Sequence, residues 1–462
     1  MSCNTPKKPS GEKQEGQNSS EISYGVSQTL AKRDEPSSQS YNLMEVILER
    51  INMEEALKRV MGNKGAPGID GMQTCELKAH LREHWIRIRQ EILDGKYKPS
   101  PVRKVDIPKP GGKGMRQLGI PTVLDRLIQQ ALHQILSPIF DRGFSESSYG
   151  FRPRRGAHQA VLKAQEYIVS GKEWVVDIDL EKFFDRVNHD ILMSKVARKI
   201  GDKRVLFLIR RYLQAGIMDG GIESPRSEGT PQGGPLSPLL SNIMLDELDK
   251  ELESRGHTFC RYADDCNIYV RTQRQGERVM KTIKGFLFKR LKLKTNEEKS
   301  AVDLHWRRKF LGYSTTKEEK PRRKIAKASI DRLKEKLRDK FRQGKGQSIQ
   351  AVVRRLIPLL RGWMNYFKLT ELETEIIEID QWIRHSFRKI IWKQLKRSRT
   401  RVKALVNQGI DKWEAWRFIK RGKGPWRSSG KGTMNRAYPN WYFGKLGHTA
   451  LRSLRKKALK PL

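Results

Sequence analysis

Cysteine is scarce in this chain. Its 462 residues include four, Cys3, Cys75, Cys260 and Cys266, and no two of them form a CxxC pair. That argues against a zinc knuckle and a disulfide framework, and it fits a reducing, cytoplasmic setting. Long apolar runs are missing as well. No stretch approaches the roughly twenty apolar residues that span a bilayer, so no membrane partner is expected. The start, Met1-Ser2-Cys3-Asn4, lacks the apolar core of a signal peptide. Negative charge is in short supply: 52 Asp and Glu stand against 93 Lys and Arg, a formal net charge of +41. A surplus of that size repels itself unless a polyanion neutralises it. The basic residues run along the whole chain rather than forming a tail, so nucleic acid is the expected partner ahead of an anionic membrane surface.

Residues 1–40 are rich in Ser, Gln, Glu, Lys and Gly and poor in large apolar residues. Such a segment buries too little surface to order itself and is read as a disordered extension. From Asn42 the pattern turns helical, with Met44, Ile47, Leu48, Ile51, Leu57 and Val60 on one face. A glycine loop, Gly65 to Gly71, separates this helix from a second over Leu77, Leu81, Trp85, Ile88 and Ile92. The helices read as a packing cap. The loop between them is suited to approaching a nucleic-acid backbone.

The chemistry centres on Arg261-Tyr262-Ala263-Asp264-Asp265. Short aromatic and β-branched stretches, Thr258–Cys260 and Cys266–Val270, flank it as strands, with Ala263 to Asp265 as the tight turn between them. Adjacent carboxylates on a hairpin tip repel each other. They are either a solvated turn or the oxygen ligands of a hard divalent cation. Upstream, the apolar run Trp174-Val175-Val176 reads as a buried strand ending at Asp179, which is placed to join Asp264 from a neighbouring strand. Asp177 shares its face, as a supporting or salt-bridged group.

Other segments surround this pair. Residues 101–122 read as a β-hairpin with Lys109, Lys113 and Arg116 near its tip, apt for closing on a triphosphate. In Tyr149-Gly150-Phe151-Arg152-Pro153-Arg154-Arg155, rings and guanidiniums alternate, which suits a nucleic-acid strand and makes Arg152 and Arg155 candidate contacts. His158 is read as structural. Residues 229–236 form a Gly/Pro loop, with Gln232 its one long polar side chain, before a helix carrying Leu239, Leu240, Ile243, Leu245, Leu248 and Leu252 toward a core. Leu291–Asn296 and Lys309–Tyr313 read as strands. An apolar stripe from Ile349 to Trp363, with Pro358 inside it, is core. Arg354, Arg355 and Arg361 lie on its other faces as a nucleic-acid surface. Beyond it, Trp413, Trp416, Trp426 and Trp441 sit among many Lys and Arg and serve either a small core or nucleic-acid contact.

In order, the blocks GAPGIDG at 65–71, RQLGIP at 116–121, YGFRP at 149–153, DIDLEKFFD at 177–185, GTPQGGPLSP at 229–238, YADD at 262–265, NEEKS at 296–300 and FLGY at 310–313 resemble a reverse transcriptase. More narrowly, the chain resembles the bacterial group II intron-encoded reverse transcriptase/maturases of the short, class C-like type that lacks an appended endonuclease. RGWMNYF at 361–367 is similar to their thumb, or maturase, region, and KGPWRSS at 423–429 to their basic DNA-binding tail.

The resemblance implies an α+β right hand of fingers, palm and thumb with an α-helical basic C-terminal region. The implied divisions are a helical fingers extension at 41–100, fingers and palm at 101–315, thumb and maturase domain at 316–400, and a DNA-binding domain at 401–462. It implies that Asp179, Asp264 and Asp265 are catalytic and hold two Mg²⁺ ions, with the Leu180 carbonyl as a further ligand. Lys109 and Arg116 match triphosphate clamps, Phe184 the residue that blocks a ribose 2′-hydroxyl, Gln232 a neighbour of the incoming nucleotide, and Tyr262 a nucleic-acid contact. The implied partners are group II intron RNA, an RNA template with DNA primer, a DNA target and deoxynucleoside triphosphates. Two rival readings are a splicing-only maturase with a lapsed polymerase site and a reverse transcriptase of another lineage, such as phage defence. The intact carboxylates disfavour the first, and the basic region after 320 disfavours the second.

Overall fold

The computed structural model describes residues 42–108, 114–219, 222–224, 228–230, 233–344, 346–422 and 424–459. The expected 1–40 extension, Lys109, Lys113 and Gln232 lie outside the described residues. The first helical pattern is split into α1 (Leu43–Ile47) and α2 (Arg50–Gly62), because Glu49 turns extended with ψ 143°. After the glycine loop comes α3 (Leu77–Leu93). Gly68 in this loop makes an internal close approach: a Cβ there would lie 2.6 Å from the Thr122 Cα. Glycine is therefore required there by packing against the chain's own backbone.

β1 (Val102–Pro108) and β2 (Met115–Ile120) form the expected hairpin, with Arg116 opposite Ile107. α4 (Val123–Asp141) starts where the Thr122 hydroxyl accepts the Asp125 amide at 3.1 Å. α5 (Ala157–Val169), β3 (Trp174–Ile178), α6 (His189–Ala197), α7 (Lys203–Gln214), β4 (Ile217–Asp219) and β5 (Ile222–Ser224) follow. α8 (Ser237–Ser254) carries its apolar residues inward as the spacing predicts, ahead of β6 (Thr258–Tyr262), β7 (Asp265–Val270) and α9 (Gln273–Phe286). β8 (Ala301–Leu304), β9 (Tyr313–Thr315) and β10 (Arg323–Ile325) lead into α10 (Lys327–Gln343), α11 (Ile349–Tyr366) and α12 (Glu373–Gln394). The C-terminal stretch is α13 (Ser398–Val406), α14 (Lys412–Lys420), α15 (Pro425–Ser429), α16 (Gly432–Ala437), α17 (Asn440–Lys445) and α18 (Leu451–Leu459).

The sheet that matters for function is antiparallel, in the order β6-β7-β3-β8. Strand alternation sorts its side chains into two cores. Val176, Ile178, Phe259, Cys266 and Ile268 pack with α8 and α9 and onward to α4. Val175, Cys260 and Tyr269 pack with α5 and with the helices after 326. The second core is continuous across residue 400. The Arg388 Nε on α12 donates to the Tyr438 carbonyl at 2.9 Å, and the Asp380 carboxylate accepts the Leu451 amide at 2.9 Å. His158, read as structural, donates from Nε2 to the Tyr366 carbonyl at 2.7 Å and ties α5 to α11.

Two expected strands are absent. Leu287–Leu291 closes α9 with a π turn and Lys292 is left-handed at φ +56°, so the 291–296 alternation is used in an irregular segment that touches β3 through one bridge, Leu180 to Thr295. In 309–313, Leu311 and Gly312 both have positive φ and form a two-residue turn, so the strand begins at Tyr313.

Candidate active site

Tyr262 pairs with Asp265 across the β6–β7 hairpin, so Ala263 and Asp264 alone make the connection. The expected turn is thus one residue shorter, and Asp265 already belongs to β7. Ala263 takes φ +58° and Asp264 does not become left-handed. A two-residue loop of that pattern favours glycine at its first position. An alanine there costs about 1–3 kcal/mol and persists only when the surroundings fix it.

On β3, Ile178 lies opposite Cys266, which brings the next residues, Asp179 and Asp265, level at the sheet's end. Parity places both on the face that also carries Asp177 and Asn267. Burial, with the charges of Asp177, Asp264 and Asp179, pushes the Asp265 carboxyl up to about 8. Asp264 is also raised, by burial and then by Asp179, against the opposing pull of Arg116 and Lys299. Asp264 and Asp265 thus both feel the charge of Asp179.

The NEEKS segment braces Asp179 from the β8 side, a function its sequence did not suggest. The Asn296 amide donates to the Asp179 carbonyl at 2.8 Å, and the Asp179 amide donates to the Ser300 hydroxyl at 3.1 Å. Lys299 Nζ stands 3.5 Å from Asp179 Oδ1. Asp177 is salt-bridged, one of the two roles expected for it. Arg308 Nε reaches its Oδ2 at 3.1 Å, and Arg308 Nη2 holds the Lys299 carbonyl at 2.9 Å.

The Leu180 carbonyl can be placed from the ladder. The bonds at the Leu180–Thr295 bridge run from the Glu181 amide to the Lys294 carbonyl and from the Asn296 amide to the Asp179 carbonyl. In this narrow type of antiparallel pair, the bridging residue directs its own N–H and C=O to the other side. For Leu180 that side is β7, toward the Asp264 turn.

On the nucleotide side, Arg116 is exposed on β2 within electrostatic reach of Asp264. Phe184 is half-buried in the turn Phe183–Asp185, its ring edge-on to Phe183 at 5.2 Å. The loop at 228–230 is moulded to it: the Thr230 amide donates to the Phe184 carbonyl at 2.6 Å, and a Cβ on Gly229 would lie 2.8 Å from the same oxygen.

The nucleic-acid candidates divide. Arg152 is buried and spent inside the fold. Its Nε donates to Asp141 Oδ1 at 2.6 Å, its Nη1 to the Ser145 and Ser148 carbonyls at 2.5 and 3.0 Å, and its Nη2 to the Asp141 carbonyl at 3.1 Å. This corrects the sequence reading: the buried guanidinium shapes the loop, with its Nε, both Nη1 hydrogens and one Nη2 hydrogen given to Asp141, Ser145 and Ser148. Arg155 is half-buried, paired to Glu146 and set over the Tyr149 ring at 5.7 Å. Phe151 is 49% exposed in a left-handed conformation, 6.3 Å from the Tyr262 ring. Arg354, Arg355 and Arg361 are exposed on α11 with no ion pair among the described residues. Trp413 and Trp441 are exposed, while Trp426 stacks on His385 at 3.7 Å.

Residues 107–315 match the family model described as "Reverse transcriptase (RNA-dependent DNA polymerase)", and residues 330–409 match "Group II intron, maturase-specific domain". Protein YkfC of Escherichia coli (strain K12) is 35% identical over 308 residues, 58% of this chain and 81% of YkfC. The chain belongs to the group II intron reverse transcriptase/maturase family. The group II intron-encoded protein LtrA of Lactococcus lactis subsp. cremoris is 40% identical over 195 residues, which make up 42% of this chain and 32% of LtrA. A chain of a solved structure titled "Partial Cas6-RT-Cas1--Cas2 complex" aligns over 54% of this chain and 43% of its own length at 22% identity and a TM-score of 0.35. As a reverse transcriptase, the protein is a nucleotidyltransferase of a family that uses divalent metal ions and acts on nucleic acid, intron RNA included. Among the described residues, no helix is long and apolar enough to cross a membrane.

Among the described residues, no three His, Cys, Asp or Glu side chains form a ready-made metal cage. Mg²⁺ does not need one. It is usually held by one or two carboxylates, with waters and substrate phosphates completing the octahedron. Crowded carboxyl oxygens, with Asp265 pushed up to about 8 by burial and its neighbours, fit a hard cation, since cation and proton compete for the same lone pairs. The sign follows. Asp265 binds its proton more tightly when folded than an unfolded carboxyl, which releases it near about pH 4. Folding stability from this group is therefore lost as pH rises toward about 8, and apparent metal affinity is gained over the same window. The divalent-metal concentration for half-maximal extension should fall several-fold between about pH 6 and about pH 8 if Asp265 lies at the metal site. A flat profile would contradict the assignment.

Proposed function

We propose that this chain is an RNA-directed DNA polymerase that copies group II intron RNA into cDNA, and a maturase that binds the same RNA to assist splicing and mobility. The observation that carries the reading is the β3–β7 register, which sets Asp179 level with Asp265 and beside the Asp264 turn. In this reading Asp179 and Asp264 hold two Mg²⁺ ions, with Asp265 next to them and the Leu180 carbonyl as a further oxygen. When bound, the ions lower the pKa of the primer 3′-hydroxyl and neutralise charge on the triphosphate and the leaving pyrophosphate.

The chain's own residues supply the rest. Asp179, braced by Asn296 and Ser300, fixes one side of the site. Arg116, with Lys109 outside the described residues, neutralises phosphate oxygens of the deoxynucleoside triphosphate. Gln232, also outside them, is assigned to the incoming nucleotide. Positioning and charge stabilisation then suffice for in-line displacement. Arg354, Arg355 and Arg361, with Arg155 and Tyr262, are assigned to nucleic acid, bound mainly through its phosphates and shape. Residues 41–100 extend the fingers, 101–315 form fingers and palm, 316–400 the thumb and maturase domain, and 401–462 face a DNA target. The scarcity of cysteine supports a cytoplasmic site of action.

Phe184 is assigned to the sugar. Phe184→Ala should relax discrimination against ribonucleotides by on the order of tenfold to a hundredfold in single-nucleotide incorporation. Unchanged selectivity would remove it from that role. The function itself is tested by primer extension on an RNA template with Mg²⁺, beside a splicing assay on the flanking intron. Splicing without extension would leave a splicing-only maturase, and neither activity would end the proposal.

A further inference from the structure

The strained turn that carries Asp264 is held from behind by a single guanidinium. Arg261 is fully buried on β6, as are Asp249 and Asn242 on α8. By strand alternation Arg261 points to the α8 side, away from the face of Asp179 and Asp265. Its Nε and Nη2 grip Asp249 Oδ1 and Oδ2 at 2.7 and 2.5 Å, a two-pronged ion pair. Its Nη1 then donates to the carbonyl of Ala263, the left-handed residue, at 2.9 Å and to Asn242 Oδ1 at 3.0 Å. Nη2 also donates to the Ser148 hydroxyl at 2.8 Å.

The same cluster locks a second loop. The Tyr149 amide donates to the Arg261 carbonyl at 2.8 Å, and the Arg261 amide to the Ser147 carbonyl at 2.9 Å, so 147–149 runs as a short parallel strand along β6. Asn242 Nδ2 donates to the Gly150 carbonyl at 2.9 Å. Gly150 lies so near the turn that a Cβ there would sit 2.4 Å from the Ala263 nitrogen. Phe151 follows, its exposed ring near Tyr262.

We propose that Arg261 is a positioning residue that fixes the Ala263 backbone, and through it the direction of the Asp264 carboxylate, while binding the Ser148–Phe151 loop and the catalytic turn into one rigid unit. This rests on the metal assignment made above. A buried ion pair on its own need not stabilise a fold, since desolvation offsets much of the attraction. What this pair adds is geometry: of the donors left over after Asp249 is satisfied, one lands on the turn at Ala263, one on the adjacent loop at Ser148, and one on Asn242, which itself holds that loop at Gly150.

The test uses the full chain and compares wild type, Arg261→Lys, Gly150→Ala and Asp264→Asn. Lysine keeps a charge for Asp249 and loses the fork. The Gly150 change displaces the turn without touching the guanidinium, and it serves if the lysine variant does not fold. Two readouts are taken: the Mg²⁺ concentration for half-maximal extension, and the rise in melting temperature on adding Mn²⁺ alone. For Arg261→Lys and Gly150→Ala the half-saturating Mg²⁺ should rise about tenfold or more, the size seen when groups supporting a metal ligand are removed. The Mn²⁺-induced shift should shrink in parallel, with KM for deoxynucleotide and intron-RNA affinity within about twofold of wild type. Folded variants with wild-type metal dependence overturn the proposal. So does an equal loss of metal response, RNA binding and melting temperature, which marks a purely structural role. A wild-type protein with no metal-dependent extension, or an Asp264→Asn variant that keeps the Mn²⁺ shift, overturns the metal assignment instead.

Discussion

Asp264→Ala should lower primer extension by on the order of a thousandfold or more and leave the protein at least as stable as wild type. The two halves of this result come from one observation. Asp264 is half-buried, its carboxyl raised by burial and by the charge of Asp179 across the strand end. A group that resists ionisation in the fold contributes no stability at neutral pH, and its removal also takes away one of the charges that, after burial, push the Asp265 carboxyl up to about 8. A side chain that opposes folding and yet sits on a strained turn is the signature of a functional site. Loss of extension should therefore come with an unchanged or higher melting temperature and with intron-RNA affinity within about twofold, since affinity rests on phosphate contacts elsewhere. Residual extension clearly above a no-enzyme control would remove Asp264 from the metal site. A fall of several degrees in melting temperature would show instead that the turn needs this carboxylate for its fold.

The carboxylate cluster proposed as the metal site is legible in the sequence because the pattern around each of its residues is local. Asp264 and Asp265 are neighbours, Asp179 ends a run of apolar residues, and strand parity alone predicts that carboxylates two apart share a face. The helix after Pro235 was legible because its leucines repeat at helical spacing and all are buried. What the sequence did not reveal depends on contacts between distant residues. Arg261 and Arg152 are written in the same letter as the exposed Arg354, and only the fold shows that two are walled in. Arg261 meets Ser148 across 113 positions, and Lys299 meets Asp179 across 120. No spacing rule reaches that far. In the glycine loop at 65–71, Gly68 shows the same limit. Freedom from a Cβ serves a ligand or the chain's own backbone equally well, and here Thr122 is the neighbour. In 291–296 an alternating pattern failed to make a strand because a π turn and a left-handed Lys292 had already set the direction of the chain.

Arg152 gives the clearest separation between a basic residue that binds and one that builds. Arg152→Ala would strand the Asp141 carboxylate and the carbonyls of Ser145 and Ser148, all of which now accept from it. Each buried acceptor left without a donor is destabilising, and the carboxylate most of all, although Asp141 keeps some solvent. The expected loss is about 2–4 kcal/mol, read as a lower denaturant midpoint at unchanged slope. The salt dependence of RNA binding by the folded fraction should stay as in wild type, because no phosphate contact has been removed. Arg354→Ala with Arg355→Ala and Arg361→Ala should do the reverse. These side chains are exposed, so stability should move by no more than about 0.5 kcal/mol per site. The slope of log affinity against log salt should become shallower by about 0.7 for each lost contact to a single strand. If Arg152→Ala flattened that slope while the denaturant midpoint held, its guanidinium would have to leave the loop and meet RNA, and the internal role given to it here would be wrong.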